Sequence, residues 1–190
     1  MTTIRGSHAI ITGGSEGIGL ASARHLLSRG AATVSLIARR RDRLDQAARE
    51  LGTDRVRTEA ADVTDRDVLD AAIERLVSAA GPCDVLITSA GYAHPGRFID
   101  LDIDVFREQM DVNYFGTLHA IRAVVPSMVG RRAGHIVGAH HLRAGHKNAP
   151  ERGRGPALAF SHRPNPSCRP GLTGPASRSE EDHSATRLWP

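Results

Sequence analysis

Two rhythms of apolar residues alternate along the first 138 positions. His8-Ala9-Ile10-Ile11-Thr12 is a short apolar run closed by glycines, the pattern of a strand buried on both faces of a parallel sheet. Residues 17–29 then carry Ile18, Leu20, Ala21, Ala23, Leu26 and Leu27 at helical spacing, and Gly30 supplies the stop. Residues 33–38 read as a second strand. A charged helix follows over 41–51, with Leu44, Ala47, Ala48 and Leu51 on one face and Gly52 closing it. The cycle repeats as a strand over 56–61, a helix over 65–79 and a strand over 84–88. One long helix is predicted over 104–129, followed by a fifth strand over 134–137.

Strands alternating with helices of this length give the α/β class. The expected architecture is a Rossmann-type doubly wound parallel sheet, incomplete, with five strands in the order 3-2-1-4-5 and right-handed crossovers. The alternation stops at Gly138. From 139 to 190 there is no Val or Ile, seven of the ten prolines occur, and Gly, Ser, His and Arg fill most of the rest. Such a stretch buries too little apolar surface to offset its ordering entropy, so the reading is one domain over 1–138 and a disordered tail over 139–190.

Charge sharpens that division. Seventeen arginines balance seventeen carboxylates through Gly138, and the whole net charge of +4 lies in the tail. The basic balance is therefore no property of the domain and does not point to nucleic acid. Cys83 and Cys168 stand far apart without metal spacing, which fits a reducing compartment. With no leader and no apolar run of about 18 residues, the chain reads as soluble and cytoplasmic, without a membrane anchor. His140, His141 and His146 lack a partnered carboxylate or helical spacing, and no metal site is assigned to them.

Candidate chemistry begins at Thr12-Gly13-Gly14-Ser15-Glu16-Gly17-Ile18-Gly19, between the first strand and the first helix. Glycines there let the backbone turn sharply and approach a pyrophosphate lying on the helix N-terminus; the alternative is a glycine-rich turn that binds nothing. At the end of the second strand Ala38 stands where NAD-preferring folds place an acid for the ribose 2′-hydroxyl. Arg39 and Arg40 follow, suited to a 2′-phosphate, with Ser15 able to add a hydroxyl. The bland alternative is a solvated basic face over 39–43, unfavourable at a helix start unless a phosphate compensates it.

With these motifs the chain resembles the short-chain dehydrogenase/reductase family, whose fingerprint is Thr-Gly-x-x-x-Gly-x-Gly. The likeness runs through residue 137. It implies that Gly13, Gly17 and Gly19 are the cofactor glycines, with Ser15 and Ile18 beside them, and that Asp62-Val63 contacts the adenine; with Arg39 and Arg40 after Ala38, the expected cofactor is NADP. Thr88-Ser89-Ala90-Gly91 matches the family's Asn-Asn-Ala-Gly turn through Ala90 and Gly91 only, both asparagines being replaced. Asn113 matches the catalytic asparagine that helps hold a relay water; a mid-helix Asn bonded to backbone is the alternative. Pro95-Gly96-Arg97-Phe98, the Asn113 helix with Met128, and Gly134-His135-Ile136-Val137 look like 3-ketodihydrosphingosine reductases. The resemblance implies transfer of the 4-pro-S hydride from NADPH to a small-molecule ketone, and intact members that are usually homo-oligomers.

Reduction in this family also needs a tyrosine acid, a lysine four residues later and a serine at the carbonyl. The only tyrosines are Tyr92 and Tyr114, the only lysine is Lys147, and Ala139-His140-His141 stands where the serine is expected. The chain is therefore expected to be truncated relative to the family and not to turn over. Read from each third base, the codons for Ala139 to Ala144 permit Ser-Ser-Phe-Ala-Gly, close to the family's pattern. The rival class is a non-catalytic NADP(H)-binding or interaction protein.

Overall fold

The computed structural model describes residues 3–139. Five parallel strands, β1 (His8–Thr12), β2 (Thr33–Ala38), β3 (Val56–Ala60), β4 (Val85–Thr88) and β5 (His135–Gly138), form one sheet in the order β3-β2-β1-β4-β5. This is the predicted order, with element ends within a few residues of those read from the sequence. The expectation of disorder over 139–190, and the tail histidines, concern residues that, apart from Ala139, lie outside the described ones.

Side chains alternate across the pleat and so build two cores. Ala9, Ile11, Val34, Leu36, Val85 and Ile87 pack on one face beneath α1 (Gly17–Ser28) and α2 (Arg41–Leu51). Ile10, Ile37 and Leu86 pack on the other, beneath α3 (Arg66–Ala80) and the helix ending at Arg131. Ile10, Leu36 and Leu86 are fully buried, each contributing about 1.5–3 kcal/mol. The Asp65 side chain caps α3 by accepting from the Val68 N–H at 3.1 Å, and Gly52, at φ +60°, ends α2 in the left-handed conformation.

The long helix predicted over 104–129 is interrupted. It runs as α4 (Ile103–Met110), one π-helical turn (Asp111–Phe115) and α5 (Gly116–Arg131). The Gly116 N–H reaches back five residues to the Asp111 carbonyl, so one extra residue is accommodated without breaking the helix. Apolar periodicity does not register a single-residue insertion of this kind. At its far end Arg132 closes α5 at φ +52°, costing roughly 1–2 kcal/mol for a residue with a Cβ.

Asp84 gathers the N-terminal edge of the sheet. Its carboxylate accepts from the His8 N–H at 3.0 Å and from Arg131 Nη1 at 2.9 Å, while its carbonyl accepts from the His135 N–H at 2.9 Å. β1, β4, β5 and the end of α5 thus meet at one residue. Among the described residues β5 is an edge strand, with Ile136 41% and Val137 47% exposed.

Cys83 precedes that residue and is buried, its Sγ 3.3 Å from the Val85 carbonyl. Burial pushes the thiol up to about 12. Under native conditions at pH 8, Cys83 should resist alkylation and should be labelled once denaturant is added, as read by peptide mass mapping. Equal labelling rates in the two conditions would contradict this packing.

Candidate functional site

The turn between β1 and α1 is shaped by what lies against it. Gly13 has φ +68°, and a Cβ there would sit 2.6 Å from the Ala90 backbone nitrogen. At Gly14 it would sit 2.9 Å from the Leu36 side chain, and at Gly19 it would overlap the Gly13 carbonyl and lie 2.6 Å from Ser89 Oγ. These three glycines are demanded by the protein's own packing. Gly17 differs: its φ is +56°, yet a Cβ there would meet nothing within 4 Å. It is exposed on the open side of the turn, where a ligand's phosphates would approach the backbone.

The N-terminus of α1 leaves donors available to such a ligand. Glu16, the preceding residue, makes no side-chain cap, and the first turn contains no acid. Uncapped amide groups at the positive end of a helix dipole are the donor set that binds a pyrophosphate. Ser15 is half-buried in the same turn, and Ile18, 40% exposed, borders a shallow hollow with Ala21, His25 and Ile87. The glycine loop therefore fits a dinucleotide, as a ledge rather than a closed cavity. A hollow of about 790 Å³ lies at the opposite edge of the sheet around Asp84 and Arg132.

Ser89 shows how the altered turn after β4 still works. Its N–H and its hydroxyl both donate to the Thr12 carbonyl, at 3.1 and 2.7 Å, tying the end of β4 to the end of β1. Thr88, by contrast, buries a hydroxyl with no partner among the described residues, at a cost of about 1–3 kcal/mol. Ala90 packs on the core beneath α3 and α5, and Gly91 is exposed beside Asn113, with its Cβ position 3.4 Å from Asn113 Oδ1.

Asn113 sits in the π-helical turn and grips the chain beyond Gly91. Its Oδ1 accepts from the Tyr92 N–H at 2.8 Å and its Nδ2 donates to the Tyr92 carbonyl at 2.9 Å. The side chain is bonded to backbone, but to a loop 21 residues away in sequence rather than to its own helix. Tyr92 carried no signal in the sequence because its part in this contact is played by the backbone.

At the end of β2 the two arginines divide. Arg40 is held by Asp42 through Nε–Oδ1 at 3.2 Å and Nη2–Oδ2 at 2.6 Å; that hydrogen bonding holds the Asp42 carboxyl below its usual range and raises Arg40. Arg39, exposed, has among the described residues only a distant carboxylate, Asp62 Oδ2 at 4.0 Å. Asp62 in turn accepts from the Thr64 N–H and hydroxyl, each at 2.9 Å, which fixes the turn after β3. Val63 is a core residue, packed on Gly116, with its carbonyl 2.9 Å from His119 Nδ1. The structure thus brings Gly17, Ser15, Arg39 and Asp62 to the C-terminal edge of the sheet, where open α/β sheets bind ligands.

The profile of the short chain dehydrogenases matches residues 7–147. A 3-ketodihydrosphingosine reductase of Dictyostelium discoideum is 34% identical over 153 residues, covering 70% of this chain and 46% of that protein. The apo form of LigO from a Sphingobium species superposes with a TM-score of 0.68 at 31% identity, covering 73% of this chain and 52% of that one. An actinorhodin polyketide ketoreductase variant solved with NADPH gives 0.66 at 29% identity, covering 73% and 54%. The chain spans about half the length of the curated relatives it matches.

The two kinds of glycine separate experimentally. Gly13→Ala adds backbone overlap to the positive-φ strain of about 1–2 kcal/mol, whereas Gly17→Ala adds the strain alone. Urea unfolding should show Gly13→Ala losing at least twice as much stability as Gly17→Ala. Equal losses would mean that the Ser89-Ala90 backbone is not a fixed wall.

Proposed function

The chain belongs to the short-chain dehydrogenase family, and from that membership we propose that residues 1–138 are the NADP(H)-binding half of a reductase interconverting ketones and secondary alcohols. One observation carries the reading: the tightly walled glycine turn opens at Gly17, above the uncapped start of α1, with Arg39 exposed at the end of β2 and no closer than 4.0 Å to Asp62. Gly17 and the first amides of α1 would hold the pyrophosphate, Asp62 the adenine side, and Arg39 the 2′-phosphate. The NADPH bound in the actinorhodin ketoreductase variant supports this choice of dinucleotide. The names of the Dictyostelium and Bos taurus relatives support 3-ketodihydrosphingosine as a specific substrate candidate.

A bound nicotinamide cofactor would supply the hydride; the chain's own residues do the positioning. Asn113 is assigned the family's asparagine role, and here its side chain acts by fixing the loop at Tyr92 beside Gly91. No Tyr-x-x-x-Lys occurs in these 190 residues, and Tyr92 is turned to His94, its Oη 3.1 Å from Nδ1. The proton for a developing alkoxide is therefore not supplied by a tyrosine-lysine pair of this chain, and the reading assigns it binding without turnover. That same lack favours a second reading, a non-catalytic NADP(H)-binding or interaction protein. A chain that accumulates as a stable folded product would support the second reading, and rapid degradation the first. No described helix is long and apolar enough to cross a membrane. We assign the protein to the cytoplasm, with the free thiol of Cys83 in support.

Calorimetry on the full chain should find NADPH binding more tightly than NADH by roughly tenfold or more, since a hydrogen bond to a charged group contributes about 1.5–3 kcal/mol. Arg39→Glu should invert the preference. Arg40→Glu should change it less, because Asp42 already occupies that guanidinium. Equal affinities for the two dinucleotides would remove the assignment.

A further inference from the structure

We propose that His8 is an acid-released latch at the N-terminal edge of the sheet, its neutral ring holding β1 to β2 and to the loop after α3, and its protonation loosening that edge. His8 is 3% exposed and opens a strand whose next three residues are apolar. Nδ1 lies 2.8 Å from the Gly81 carbonyl and Nε2 lies 2.8 Å from Ser35 Oγ. A carbonyl only accepts, so Nδ1 carries the proton and Nε2 accepts from the Ser35 hydroxyl. Both ring nitrogens are satisfied in that one neutral tautomer.

A second proton on Nε2 would face the Ser35 oxygen and oblige the serine to turn its own hydrogen elsewhere. Ser35 is fully buried, so that hydrogen would lose its acceptor. The surroundings offer little compensation for the positive charge. From β2 the ring's hydrogen-bond partner is the Ser35 hydroxyl, and from the loop after α3 it is served by backbone groups of Gly81 and Pro82. Just before β4 stand Cys83, whose thiol is pushed up to about 12 and so is uncharged, and Asp84, whose charge favours the imidazolium. The Asp84 carboxylate is already engaged by the His8 backbone N–H and by Arg131 from α5, and the His135 N–H of β5 donates to the Asp84 carbonyl. Desolvation outweighs the help of Asp84 and the carbonyls, and the imidazole is held below its ordinary value of 6.5.

The direction of the linkage follows. The unfolded chain takes up the proton at higher pH than the folded one, so the contribution of His8 is complete above 6.5 and is lost as pH falls from there through the lower folded-state value. Within that window the folding equilibrium constant drops by up to tenfold per pH unit for one proton. Ordinary carboxylates titrate mostly below about pH 5, which leaves the window to histidine.

The test is urea unfolding of the full chain between pH 8 and pH 5, alongside His8→Gln, whose amide offers a donor and an acceptor but does not titrate. The wild type should be flat above pH 7 and lose stability below 6.5, and His8→Gln should lose markedly less over the same interval. Identical pH dependence in the two proteins would overturn the latch. Should His8→Gln fail to fold, the imidazole of the wild type can be titrated directly by NMR with ring-labelled histidine. A midpoint below 6.5, with faster amide exchange at Thr33 to Ser35 on protonation, supports the latch; a midpoint at or above 6.5 refutes it.

Discussion

The end of β4 lies so close to the turn after β1 that no side chain fits between them. Ser89 and Ala90 press their backbone against Gly13, and Ser89 Oγ occupies the space that a Cβ on Gly19 would need. Two hydrogen bonds from Ser89 to the Thr12 carbonyl hold the contact shut. Parallel pairing of β4 with β1 sets how near the two segments come, and their nearness sets the course of the chain into α1. The uncapped start of α1 follows from that course, with the turn folded tightly at Gly13 and Gly19 and open at Gly17.

The opposite edge of the sheet is joined by polar groups instead of by crowding. Asp84 collects donors from β1, β5 and α5, and His8 reaches across to β2 and to the loop after α3. Between the two edges lie the paired apolar cores, which give rigidity but no direction. A parallel sheet of short strands needs both: apolar faces to hold the layers together, and end contacts to set how far each strand slides along its neighbour. Glycine packing does this at the C-terminal edge, and hydrogen bonds do it at the N-terminal edge.

The helical run from Ile103 to Arg131 shows how a local irregularity serves the same edge. An uninterrupted α-helix would space its side chains evenly; the π-helical turn re-aims Asn113 so that both atoms of its amide meet Tyr92. The loop after β4 is thereby held at two places, by Ser89 to β1 and by Asn113 to the helix. At the end of β2, Asp42 holds the Arg40 guanidinium closely, whereas Arg39 makes only a 4.0 Å contact to Asp62 among the described residues.

Periodicity was enough to read the five strands, most helices and the sheet order, because buried parallel strands and amphipathic helices leave strong apolar patterns in the chain itself. The glycine turn between β1 and α1 was equally legible, since it depends on residue type at a place defined by neighbouring elements. The division of labour among the glycines was not, for Gly13 and Gly17 differ only in what stands opposite them. Nor were the Tyr92 clamp, the pairing that sets Arg40 apart from Arg39, or the setting of His8, which in sequence is one polar residue opening an apolar strand. Each of these depends on groups from different elements coming within hydrogen-bond distance, often through backbone atoms that every residue carries. Such contacts leave no mark on residue type, so only the tertiary structure decides them.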